Sequence, residues 1–75
     1  MKKVTGPDQS QRIRARAEEV RKRRKAMGLT QMQVATICEL SLGTVIGVEV
    51  ARRDASVLTL AKLAKGLGIK IERLV

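Results

Sequence analysis

The side chains able to do chemistry are mostly cations. Ten Lys and Arg residues fall within residues 1–27 beside three carboxylates, a local excess of +7. Residues 28–75 add only +2 toward the formal total of +9. An excess of this size in a 75-residue chain favours a polyanion as partner over simple solubility, and nucleic acid is the usual polyanion. Other chemistry is hard to assemble. The chain has no His and one Cys, so it cannot build a zinc site, a disulfide or a Cys–His pair within itself. Glu18 and Glu19 are adjacent and would point to different faces of a helix, so they cannot share acid–base work. No cofactor motif is present. The expectation is a non-enzyme without cofactor or metal.

Missing residue types narrow the partner. There is no Phe, Tyr or Trp. Single-strand binders and sequence-specific RNA readers stack bases on aromatic rings. Double-stranded DNA is therefore the expected ligand. The absence of a signal peptide and of an apolar run near 20 residues points to a cytoplasmic protein with no membrane partner. A single small domain is expected, with a core of Leu, Ile, Val, Ala and Met that dimerisation would supplement.

The elements that must position these cations are short. Residues 1–7 carry Gly6-Pro7 and no periodicity, and read as a flexible arm before a domain spanning 8–75. A first helix is predicted from Asp8 or Ser10 to about Met27. Ile13, Ala17 and Val20 share its apolar face, and Gly28 stops it. Thr30 with Gln33 has capping-box spacing, so a second helix should begin near Gln31, with Val34, Ala35 and Cys38 on one face. Glu39-Leu40-Ser41 turns a corner. Ser41 caps a third helix whose buried pair is Val45 and Val48. Two helices joined by so short a turn form a helix-turn-helix, whose second helix enters the major groove. Ser56 caps a fourth helix to about Leu67, with Val57, Leu60, Leu63, Ala64 and Leu67 as its core stripe. Ile71–Leu74 suggests a short fifth.

In this register the chain resembles the lambda-repressor/Cro (Xre) family. The run G-L-T-Q-x-x-V-A from Gly28, then Ser41, Thr44, Val45 and Glu49, then S-x-x-T-L-x-K-L-A-K-x-L-G from Ser56 carry the likeness, over roughly residues 20–75. The resemblance implies an all-α, compact four- or five-helix domain. The first helix is extended by about two turns relative to the family, and the extension is compatible with phosphate binding, partner packing or simple solvation. The resemblance also implies an ion pair between Arg24 and Glu49, phosphate contacts from Gln31, Arg24, Arg52 and Arg53, base-edge positions at Leu42, Gly43, Thr44 and Gly47, and Gln33 and Ser41 as further DNA-binding residues. It implies a homodimer that sets two recognition helices about 34 Å apart. Relatives have Gly where Ala51 stands and Pro where Ala55 stands. At the corner they often have Gly where Glu39 stands, and a left-handed Glu there is expected to cost about 1 kcal/mol. Cys38 replaces an aliphatic and is expected in the core.

The recognition helix departs from the family. Relatives present Gln, Arg, Ser, Asn or Lys at positions where this chain has Leu42, Gly43, Thr44 and Gly47. Bidentate reading of G or A needs Arg, Lys, Asn or Gln. Thr44 offers one hydrogen bond, and Leu42 offers contact with a thymine methyl. Leu42, Ile46 and Val50 form a second apolar stripe, beside a flat strip of Gly43 and Gly47. Two readings follow. The first is a dimeric DNA-binding regulator that represses by occlusion. The second is a protein-binding module of the antitoxin or antiactivator type. The latter would use Leu42, Ile46 and Val50, with Ile71 and Leu74 as further interface residues.

Overall fold

The computed structural model describes residues 12–50 and 54–75. The arm assigned to residues 1–7 lies outside them, as do Arg52, Arg53 and Ala51. Strand β1 (Arg12–Arg14) leads into α1 (Ala17–Ala26), α2 (Gln31–Cys38) and α3 (Leu42–Glu49). Strand β2 (Asp54–Ser56), α4 (Val57–Leu67) and a 3-10 turn at Ile71–Arg73 follow.

The first helix is the main correction. It begins at Ala17; of the residues expected to extend it, 8–11 lie outside the described residues and Arg12–Arg14 form β1, antiparallel to β2 with Ile13 opposite Ala55. Two physical reasons favour the strand. Arg12-Ile13-Arg14-Ala15 alternates polar and apolar residues with period two, the pattern of a half-buried strand. A helix would instead set Arg12 and Arg16 at like-charge i,i+4 spacing. The chain then anchors its new start at the far terminus. The Arg16 amide donates to Leu74 O at 2.9 Å and its Nε donates to Val75 O at 2.8 Å. Ala15 and Ala17 are buried. Glu18 and Glu19 in the first turn and Arg23, Arg24 and Lys25 in the last complement the α1 dipole.

Three helices end alike. Gly28 at φ 69°, Glu39 at φ 58° and Gly68 at φ 68° are left-handed. In each case the next amide reaches back five residues, Leu29 to Arg24 O at 3.1 Å, Leu40 to Ala35 O at 2.8 Å and Ile69 to Ala64 O at 3.0 Å. This closes the last turn as a Schellman motif. Glu39 fills the position with a side chain where glycine carries no Cβ penalty. Lys62 Nζ donates to its carbonyl at 3.3 Å and ties the corner to α4.

The helix starts are equally local. Thr30 Oγ1 accepts from the Gln33 amide at 3.1 Å, and Gln33 Oε1 accepts from the Thr30 amide at 2.8 Å, a full capping box. Ser41 caps Thr44, and Ser56 caps Thr59. The core gathers Val20, Val34, Val45, Leu60, Leu63, Leu67 and Leu74, all fully buried. Val57 is only half-buried. Cys38 is buried and packs on α4 at Gly66, where a Cβ would overlap its sulfur and lie 3.2 Å from its Cα. Among the described residues no single helix is long and apolar enough to cross a membrane.

Candidate nucleic-acid interface

The chain turns by 116° between α2 and α3. That angle lies within the range of a helix-turn-helix. Val45, Val48 and Glu49 fix the inward face of α3, and the remaining residues look outward. Ile46 is 37% exposed and Val50 at the helix end is 65% exposed, while Leu42 is half-buried. Gly43 and Gly47 lie beside this stripe. A Cβ on Gly47 would meet nothing within 4 Å, and one on Gly43 only Ser41 Oγ at 4.0 Å. No internal packing therefore requires glycine at either position.

Glu49 is the hub behind this helix. It is 1% exposed. Arg24 grips it bidentately, Nε to Oε2 at 2.8 Å and Nη2 to Oε1 at 3.0 Å. Arg24 Nη1 also donates to Leu29 O at 3.1 Å, holding the α1–α2 corner. Gln31 Nε2 donates to Glu49 Oε1 at 3.2 Å, and Arg21 Nη1 donates to Glu49 O at 2.6 Å. The hydrogen-bonded carboxylate raises the Arg24 pKa, against the opposing effect of burial. A buried carboxylate this fully bonded fixes how α1, α2 and α3 meet.

The geometry redistributes the residues named from the sequence. Arg24 commits three of a guanidinium's five N–H groups inside the protein. Gln33 is a cap. The Gln31 amide nitrogen bonds Glu49. Ser41 caps α3 through the Thr44 amide at 3.1 Å, and its Oγ lies 2.8 Å from Thr44 Oγ1. Leu74 is fully buried in the protein's own core, so no partner can reach it there, whereas Ile71 is half-buried. Arg21 was missed. Its only signal was position, three residues before Arg24 and hence on the same face of α1.

A groove of about 360 Å³ flanks α3, lined by Ser41, Gly43, Thr44 and Gly47 on one side and by Asp54, Ser56 and Thr59 on the other. Sequence reasoning did not anticipate it, because it depends on where β2 returns the chain. Burial raises the Cys38 thiol pKa, which disfavours the reactive thiolate.

A family model described as "Helix-turn-helix" matches residues 20–74. No curated protein matches. The structure is similar to the crystal structure of the restriction-modification controller protein C.AhdI from Aeromonas hydrophila, with a TM-score of 0.71 and 33% identity. The match covers 76% of this chain and 86% of that one.

Proposed function

The chain belongs to the helix-turn-helix family, and on that premise we propose that it is a dimeric, cytoplasmic DNA-binding regulator of transcription that represses by occlusion. It lays α3 in the major groove of duplex DNA. The carrying observation is the asymmetry of α3, whose inner face is locked by Val45, Val48 and the Glu49 hub while Ile46 and Val50 stay exposed and the space above Gly43 and Gly47 is open. The similarity to a protein named as a restriction-modification controller supports a regulatory role. Phosphate contacts come from the N-terminal end of α2, the part of Gln31 left free by Glu49, Arg52 and Arg53, and exposed cations of α1 such as Lys22 and Lys25. Arg24 acts mainly by holding α3 in place.

A gel shift with the protein's own upstream DNA at two salt concentrations, beside a random duplex of equal length, tests this. Each neutralised phosphate adds a log–log slope of about −0.9. Affinity should therefore fall steeply between low and physiological salt, and the upstream duplex should outcompete the random one. An affinity insensitive to salt contradicts the reading.

The exposure of Ile46 and Val50 supports a second reading, a protein-docking module built on the same helix. Ile46→Asp decides whether the ridge is that interface. A partner complex that survives the change places the contact elsewhere.

A further inference from the structure

The outward face of α3 lacks the groups that read bases by hydrogen bonding. Reading G or A that way takes a free Arg, Lys, Asn or Gln. Leu42, Gly43, Ile46, Gly47 and Val50 are none of these. The one hydroxyl there, Thr44 Oγ1, is within 2.8 Å of Ser41 Oγ and half-buried. Among the described residues, the polar side chains behind α3 and at the start of α2 each commit at least one group inside the protein. Arg21 and Arg24 bond Glu49, the Gln31 amide nitrogen does too, and Gln33 closes the α2 cap. What α3 presents instead is a branched apolar ridge over bare helix backbone. The space above Gly43 and Gly47 is open, so the backbone itself is free to approach a flat surface.

The major groove carries one apolar feature on its base edges, the methyl group at C5 of a pyrimidine. We propose that α3 recognises C5-methyl groups, with Ile46 and Leu42 as the contacting side chains and Gly43 and Gly47 letting the helix sit close enough to reach them. The inference rests on the DNA-binding reading above. Two pyrimidines carry that methyl, thymine and 5-methylcytosine, and both present it at the same place in the groove.

The test starts by selecting bound duplexes from a random library with the whole chain. The enriched duplex is then resynthesised with uracil for thymine, and separately with 5-methylcytosine for cytosine. Dissociation constants are compared at one salt concentration. Uracil should weaken binding by about fourfold for each contacted methyl removed. Ile46→Ala should abolish most of the thymine–uracil difference. A gain with 5-methylcytosine extends the recognition to that base, and its absence assigns the methyl to thymine. Equal affinity for the thymine and uracil duplexes overturns the proposal and leaves DNA binding standing. So does a uracil effect that persists undiminished in both Ile46→Ala and Leu42→Ala, because it would then come from DNA shape. Failure to bind any duplex at low salt removes the DNA-binding reading as well.

Discussion

Glu49 shows how much a single buried carboxylate can organise. Arg24 from α1 and Gln31 from α2 converge on it, Arg21 donates to the same residue's main-chain carbonyl, and Glu49 sits at the end of the helix they position. Removing it leaves Arg24, whose side chain is 14% exposed, without its partner. Glu49→Ala should therefore destabilise the fold by about 3–5 kcal/mol, read by thermal or urea unfolding. Replacing the pair together, Arg24→Met with Glu49→Leu, should recover part of that loss, since the penalty comes from the stranded charge. The family resemblance supplied both members of this pair. It did not supply Arg21 or the role of Gln31, because hydrogen bonds across 28 and 18 residues leave no local pattern.

Cys38 gives a pH prediction at the same scale. Burial raises its folded pKa above the ordinary value of 9.0. The folded state therefore favours the neutral thiol more than the unfolded chain does. Its contribution is fully present below about pH 9 and is lost as pH rises through the unfolded and then the folded pKa. Wild-type stability should fall over that alkaline range more than that of Cys38→Ala, measured by denaturant titration. Alkylation of the native thiol at pH 8 should be slow relative to the unfolded chain.

At the scale of elements, signals within four residues were legible. The Thr30–Gln33 box, the Ser41 and Ser56 caps and the Gly28 and Gly68 stops each depend on neighbours in sequence. The start of α1 was not legible. Residues 12–14 become a strand because β2, more than 40 residues later, offers its backbone. Nothing local distinguishes that from a basic helix except the brief Arg-Ile-Arg-Ala alternation. The glycines of the helices separate into two kinds. Gly66 lies against Cys38, whereas Gly47 faces open space. Gly66→Ala should destabilise by about 1–3 kcal/mol through overpacking. Gly47→Ala should stabilise by about 1 kcal/mol, as Ala does for an exposed helix interior. Thermal unfolding of the two variants measures the contrast. If Gly47→Ala also weakens DNA binding, the glycine is present for the ligand's sake.

The whole molecule divides stability from recognition. Leu60, Leu63, Leu67, Leu74 and the buried valines Val20, Val34, Val45 and Val48 hold the helices together without an aromatic ring. Leu74, available in sequence for either core or interface, belongs to the core, since the C-terminal end packs beneath the Arg16 anchor. The net charge of +9 acts at longer range. It concentrates the protein on a polyanion and makes affinity depend on ionic strength. It carries no sequence information, so on the proposed reading selectivity arises from the outward face of α3.

Cross-linking from that face is the most direct measurement. A photoactivatable thiol probe attached to Ile46→Cys reports what α3 touches, because Cys38 is buried and leaves position 46 as the accessible thiol. The same probe on Lys62→Cys, in α4, serves as the control. Irradiation with bound upstream duplex should join position 46 to bases in the major groove and give little product from position 62. Equal or stronger cross-linking from position 62, with position 46 silent on folded and DNA-bound protein, would contradict α3 as the reading element.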